Sequence, residues 1–341
     1  HILYAIDHYD MRKGRIVSID LQTMQRQLLF SHGSDGFYFG QILAATFDPL
    51  NKQIVLADYS KGVHTFNVET NRLSTISVNG SAFENYLFPT DVVVDVQNSR
   101  ALAVQESENP SLVSIDLSTG NRTIISDNSG VGSGVLFRSP RRLELDTNND
   151  RALIYDDNLY AILAVNLSTG ERSVIADYRN GTGDWIQYIS SLELDSNKLI
   201  GLKSLQDGGL LEINLENGNR TLMSDNTGEA VRVSGNQVLI DNINDRYLVT
   251  SSNSIVTVDR NTKVQNVLFK ETVSSGPQMS WLTDISIDPS RNTGYVLDFF
   301  GKRIFEVNLL TGERKLLSGS GINLVSPIDI EIDRNNNQLL I

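Results

Sequence analysis

The chain repeats itself, and that repetition restricts its possible folds more than any other feature. Four stretches read alike: Ser114–Thr123 (SIDLSTGNRT), Ala164–Ser173 (AVNLSTGERS), Glu212–Thr221 (EINLENGNRT) and Glu306–Lys315 (EVNLLTGERK). Looser copies sit at Ser18–Thr23, Phe66–Thr70 and Thr257–Thr262. The matching glycines at 120, 170, 218 and 312 give a unit of roughly 48 residues, within the ~40–50 expected for four strands per repeat. A second motif lies about twenty residues upstream of the first: Pro89–Asp95 (PTDVVVD), Pro140–Asp146 (PRRLELD), Ile189–Asp195 (ISSLELD), Leu282–Asp288 (LTDISID) and Pro327–Asp333 (PIDIEID), with weaker versions ending at Asp48 and Asp241. Each alternates apolar and polar residues with period two, the pattern of a half-buried strand.

One repeat parses as four strands. Strand A ends at the Asp, and the Asn, Asp and Ser residues that follow (Thr147–Asp150, Arg334–Asn337) tolerate left-handed turn geometry. Strand B is short and apolar (Ala152–Tyr155, Thr293–Leu297). Strand C turns through Thr-Gly into strand D, the Gly supplying a positive φ. Helical periodicity is nearly absent, so the chain reads as all-β. Seven A and seven C strands predict a seven-bladed β-propeller of four-stranded antiparallel blades. The chain opens in a B strand (Ile2–Asp7) and ends just after an A strand. Ring closure is therefore expected by pairing Ile328–Asp333 with the first B–C–D hairpins, which removes open sheet edges. The leftover Gln338–Ile341 looks like another B strand, either a tail or the start of a truncated eighth blade. No linker or composition shift divides residues 1–341, so one propeller domain is expected.

Composition excludes several functions. The net charge of −12 repels phosphate backbones and argues against nucleic acid as a partner. The chain has no Cys, which removes disulfide scaffolds, thiol catalysis and cysteine zinc sites. No apolar run approaches the ~18 residues of a spanning helix.

The motif Pro-x-Asp-Ile-x-Ile-Asp before a turn, the B strands closing in Asp58, Asp156 and Asp298, and the Thr-Gly turn after strand C resemble NHL-like and gluconolactonase-like (lactonase-type) β-propeller proteins of bacteria. The resemblance covers essentially the whole chain but specifies the blade rather than an activity. It implies a host of hydrolases, lyases, receptors and protein-binding rings, with export from the cell and, in the gluconolactonase-like enzymes, a metal in the channel. Quinone-dependent propellers carry Trp after the Thr-Gly turn; here Asn-Arg or Glu-Arg stands there.

If A strands line the channel, the position four residues before each closing Asp defines one ring level. It holds Ala44, Asp91, Arg142, Ser191, Gln237, Asp284 and Asp329. Asp91, Asp284 and Asp329 could gather oxygen ligands for Ca²⁺. The same acids could instead bond backbone amides and order the blade entrances, with Arg142 neutralising them. The D–A loops add aromatics: Phe37, Tyr38, Phe39, Tyr86, Phe88, Phe137, Trp185, Tyr188 and Trp281. Aromatic faces beside carboxylates suit sugar rings or a cationic peptide, and the alternative is that most of them plug gaps between blades. Asp91, Arg142, Asp284, Asp329, Trp185 and Trp281 are accordingly the candidate ligand-binding residues.

Catalytic constellations are thin. Of the four His, only His8 falls in a channel-mouth loop, beside Tyr9; with Arg142 these would be the acid–base groups of a polysaccharide lyase. His64 is expected to be a sheet residue. No Ser-centred elbow, Walker loop or zinc motif occurs. Five Asn-x-Ser/Thr sequons, at Asn79, Asn121, Asn166, Asn180 and Asn219, are accounted for largely by the turn repeat. The leading expectation is a module recognising a protein or carbohydrate ligand, a monomer or part of a larger chain, extracellular, periplasmic or on the cell surface, with any signal peptide removed or not included. A metal-assisted hydrolase or lactonase and a polysaccharide lyase are the alternatives.

Overall fold

The computed structural model describes residues 2–8, 14–21, 23, 25–78, 88–204, 208–224, 233, 235–270, 276–317, 323–333 and 338–340. Strands β1 (Ile2–His8), β2 (Gly14–Asp20) and β3 (Arg26–Ser31) open the chain. β4 (Ile42–Asp48), β5 (Gln53–Asp58), β6 (Gly62–Asn67) and β7 (Arg72–Val78) form one sheet in that order. β8 (Pro89–Asp95), β9 (Arg100–Gln105), β10 (Ser111–Asp116) and β11 (Arg122–Asp127) form the next. The two-residue β12 (Ser133–Gly134) lies parallel to the outer edge of the sheet β13 (Pro140–Asp146), β14 (Arg151–Asp156), β15 (Ala161–Asn166), β16 (Glu171–Ala176). Then come β17 (Ile189–Asp195), β18 (Lys198–Lys203), β19 (Gly209–Asn214) and β20 (Arg220–Ser224). They are followed by β21 (Gly235–Asp241), β22 (Arg246–Ser251), β23 (Ser254–Asp259) and β24 (Gln265–Lys270). β25 (Leu282–Asp288), β26 (Thr293–Asp298), β27 (Arg303–Asn308) and β28 (Arg314–Leu316) make a further sheet. β29 (Pro327–Asp333) and β30 (Gln338–Leu340) return to the first sheet, whose order is β3-β2-β1-β29-β30.

The described residues thus form seven sheets and no α-helix. The expected pairing of the last A strand with the first B strand is present: Tyr4 faces Glu331, Ala5 faces Ile330 and Ile6 faces Asp329. β30 also pairs with β29, Asp333 facing Gln338, the register of the other A–B hairpins such as Asp48 with Gln53.

The chain divides into two compact units, residues 1–38, 200–212 and 222–341 in one and 39–199 and 213–221 in the other. Inside the second unit, B and C strands carry the core: Leu102, Val104, Ile154, Leu163 and Phe137 in one cluster, Val55, Ala57, Ala103 and Val113 in another. Inside the first unit, Leu248, Val296, Phe305 and Met279 pack together, and Leu202, Val238 and Val249 make a second cluster. β5 and β26 are buried along their whole length, as strands covered on both faces must be.

The repeats fold by local polar chemistry. Three A–B hairpins are stapled alike by the closing Asp: Asp146 accepts from Asn149 Nδ2 (2.8 Å) and Arg151 Nε (2.8 Å), and Asp95 and Asp241 do the same with Asn98 and Arg100, and Asn244 and Arg246. The left-handed residue is the fourth after Asp, as in Ser99 (φ 50°) and Asp150 (φ 46°), within reach of short polar side chains. At the C–D turn, Asn166 Oδ1 accepts from the amides of Ser168 (3.0 Å) and Thr169 (2.7 Å), and Gly170 donates to Asn166 O. Gly170 has φ 71°, and a Cβ there would overlap the carbonyl of Ile125 on the neighbouring sheet's outer strand. Glycine is thus required twice over, by backbone conformation and by close approach.

Candidate functional site

In three repeats one end is tied by the Asp that closes strand B. Asp58, Asp156 and Asp298 are fully enclosed. Asp58 accepts from the amides of Gly40 (2.6 Å) and Gln41 (3.1 Å) on the incoming D–A loop, and of Ser60 (3.0 Å) and Lys61 (3.1 Å) in its own B–C turn. Asp156 accepts from Arg138 (2.7 Å), Ser139 (3.0 Å) and Leu159 (3.1 Å). Asp298 takes the Ser280 hydroxyl, the amides of Trp281 (3.2 Å) and Gly301 (2.9 Å), and Arg303 (3.0 Å). Each carboxylate therefore fixes a D–A loop to a B–C turn. Burial pushes all three carboxyls up; His64 at Asp58, and Ser280 and Arg303 at Asp298, join the amides in outweighing it and hold those two below the usual range. Asp156, which has amides alone, stays raised by burial.

The aligned A-strand positions share one structural task. Asp91 accepts from the amide of Val92 (2.9 Å) and from that of Leu143 (3.0 Å) on the neighbouring β13. Asp284 repeats this with Ile285 (2.9 Å) and Ile330 (2.6 Å) on β29. Gln237 Oε1 accepts from Ile285 (2.8 Å), and Arg142 Nε donates to Ser190 O (2.7 Å) on β17. Strands β13, β17 and β25, which carry Leu143, Ser190 and Ile285, are sheet edges, so there these side chains meet main-chain groups that no ladder satisfies. A register shift at the start of each strand, between Pro89 and Asp91 or between Leu282 and Ile285, turns the side chain toward its neighbour. Burial raises the Asp91 carboxyl, although Arg142 opposes this. Asp284 and Asp329 stand on adjacent strands of the first unit, and Asp91 lies in the second. Among the described residues no group of three or more His, Asp or Glu is arranged to hold a metal ion.

Two features escaped the sequence reading. Two residues before the closing Asp, Glu144 and Glu193 sit on β13 and β17. Burial, then the charges of Glu193 and Asp91, push the Glu144 carboxyl well above its usual value. The alternation that marks the strand also marks this pair as sharing a face with Asp91. The second feature is the Arg two residues after the turn Gly. Arg172 is buried and donates to Val135 O (2.6 Å), Asp127 O (2.6 Å) and the Ser126 hydroxyl, with its guanidinium 5.2 Å from the Phe137 ring. Arg220 does the same for Asp184 O (2.6 Å), Asp177 O (2.7 Å) and Asn180 O (2.7 Å). Their repeat was visible; their role as latches on the preceding loop needed coordinates.

The D–A aromatics separate by register. Among the described residues, the one three before an A strand is buried whatever its type: Phe39, Phe137, Ile186, Met279 and Leu324. These are the plugs. Trp185, one residue off that register, is 62% exposed; Tyr188 and Trp281, immediately before their strands, are 42% and 40% exposed. Each of the latter two meets an aromatic of a B–C turn: Tyr188 lies 6.2 Å from Tyr160, and Trp281 lies 5.9 Å from Phe300, both edge to face. Tyr59 and Phe88 form a third such pair at 5.4 Å.

His8 ends β1, its backbone paired with Gly14. Tyr9, Tyr86 and Asn79 lie outside the described residues. His64 is a buried sheet residue of β6, its Nδ1 3.1 Å from Thr75 Oγ1 and its Nε2 3.7 Å from Asp58. That line of Asp, His and hydroxyl is closed to solvent at the ring and braces strands. Asn166 and Asn219 spend their side-chain oxygens on turn and loop donors.

These features define an all-β β-propeller whose D–A loops and B–C turns are tied by a buried Asp in three of its repeats. No known family model matches the chain, and no curated protein matches it in sequence. Among solved structures it is similar to a nidogen/laminin complex, with a TM-score of 0.52 and 12% identity over 100% of this chain and 96% of that one. It is also similar to the extracellular domain of a putative hybrid two-component system from B. thetaiotaomicron, with a TM-score of 0.63 and 11% identity. That likeness covers 87% of this chain and 36% of the other, so this chain spans about a third of it. Identities this low carry the fold alone. Among the described residues no helix is long and apolar enough to cross a membrane.

Proposed function

We propose that the chain is a protein-recognition propeller of seven blades that works outside the cell, using the face where D–A loops and B–C turns meet. The carrying observation is that Trp185, Tyr188, Trp281 and Phe300 stay exposed while the plug register beside them is buried. Exposed large aromatics on a rigid support are the usual anchors of protein interfaces. The seven sheets and the β1–β29 pairing support the blade number and the ring closure. A nidogen/laminin complex and an extracellular sensor domain among the structural neighbours support the setting. The kinship with NHL-like and lactonase-type propellers belongs to the same proposal, resting on the blade motifs.

The test is a binding screen of immobilised protein against secreted proteins and glycans, run in parallel with Tyr188→Ala and Trp281→Ala. A saturable protein partner that loses at least tenfold in affinity with one of these variants is the expected result. Turnover of a lactone or an acidic polysaccharide, or partner affinity unchanged in both variants, overturns the reading.

A further inference from the structure

Tyr160 and Tyr188 are both left-handed, with φ 49° and 53°, a conformation uncommon for bulky residues. Tyr160 is the fourth residue after Asp156; the same turn position after Asp58 is Gly62 (φ 103°), and after Asp298 it is Lys302 (φ 54°). The turn demands a positive φ, and here it carries an aromatic ring. Tyr188 is the only described residue immediately preceding an A strand with positive φ. The two rings stand 6.2 Å apart at 68°, a corner rather than a flat platform. The Tyr188 phenol is the main reason the Tyr160 hydroxyl is pushed up, with Asp157 adding to it.

Asp157 completes the corner from the same B–C turn. One of its oxygens accepts from the buried Tyr155 hydroxyl at 2.7 Å. Among the described residues, no Lys, Arg or His forms an ion pair with it, in contrast to Glu106 with Arg141 (3.0 Å) on a nearby loop. An exposed ring corner attracts a cation through the ring faces, and an unpaired carboxylate adds direct charge. A sugar ring would stack better on one flat ring face than in a right-angled corner.

We propose that Tyr160, Tyr188 and Asp157 form a binding site for a lysine or arginine side chain of a protein partner. The site deepens the recognition reading and rests on it for the nature of the partner. The net charge of −12 favours approach of a basic segment.

The test titrates an acetylated, amidated Gly-Gly-Lys-Gly-Gly peptide, its Gln counterpart and methyl β-glucoside, followed by NMR line positions of the protein. The lysine peptide binds saturably and at least fivefold tighter than the Gln peptide. Asp157→Asn, which keeps the acceptor for Tyr155, weakens it at least fivefold. Tyr160→Gly abolishes it without lowering the unfolding temperature, because glycine suits φ 49°. Equal binding of the two peptides, binding of the glucoside instead, or an unchanged Asp157→Asn overturns the proposal. A protein partner held equally by wild type and Tyr160→Gly rejects this site and leaves the recognition reading standing. Lysine-peptide binding with no protein partner found rejects that reading and keeps the cation site.

Discussion

Gly170→Ala tests whether the repeat glycine is held by backbone conformation or by the neighbouring sheet. Gly36 has nearly the same φ, 75° against 71°, but a Cβ on it meets nothing within 4 Å. Gly36→Ala therefore reads the left-handed strain alone, ~1–2 kcal/mol. At Gly170 the added methyl overlaps Ile125 O and comes within 3.1 Å of Gly132 Cα. Both are main chain, so neither can swing aside. Relief requires the Asn166–Glu171 turn to lift from β11, which also strains the bond from the Ser126 hydroxyl to Gly170 O (2.7 Å). Overpacking of this kind adds ~1–3 kcal/mol, for a total of ~2–5 kcal/mol. For a chain of this length, ~2.1 cal/mol/K per residue converts that to a fall of roughly 3–7 °C in Tm, against 1–3 °C for Gly36→Ala. Urea unfolding with both variants gives the free energies directly. Equal losses at the two positions would show that the contact with Ile125 contributes nothing and that turn geometry alone selects glycine.

Three further outcomes are expected. Glu144 titrates above its unfolded value, so it subtracts stability as pH rises through its folded pKa and nothing below about 4.5; Glu144→Gln should stabilise at pH 7 and be neutral near pH 4, and an equal effect at both pH values would refute the charge argument. Asp58 and Asp298 have the opposite sign: their folded carboxyls lie low, so stability present above the unfolded value near 3.8 is lost as pH falls further, and Asp298→Asn should flatten the acid limb of a Tm-versus-pH curve. Arg172→Met leaves Val135 O and Asp127 O without their donor and should cost ~3 kcal/mol in urea unfolding; Arg172→Lys recovers little, since one ammonium cannot reach the same set of acceptors.

Much of this fold was legible because its turns are made by local chemistry. An Asp that must accept from residues three and five further on writes its own signature, as Asp95, Asn98 and Arg100 do. The A-strand alignment also singled out Asp91, Arg142, Gln237 and Asp284 as equivalent positions, and left open whether they bind a ligand or the backbone. Coordinates supply the backbone partners, Leu143, Ser190, Ile285 and Ile330. Sequence could not supply them, because each main-chain group, three amides and the Ser190 carbonyl, belongs to a residue about fifty positions away that is brought near only by how sheets neighbour one another. The aromatics were harder still. Phe137 and Trp185 look equivalent in a polar loop, yet a single residue of register buries one and exposes the other.

The sequence by itself determined the strand pattern, the hairpin chemistry and the all-β propeller class, since period-two alternation and Asx turns act over fewer than ten residues. Only the tertiary structure decided what the recurring polar residues do. The same Asp can coordinate, catalyse or clasp, and which of these happens depends on the groups that long-range packing brings within 3 Å. It also decided which rings remain outside. Three acids that composition marked as candidates for a ligand turned out to include two, Asp91 and Asp284, that join neighbouring strands. The exposed corner of Tyr160, Tyr188 and Asp157 arises from two loops that only the fold places side by side.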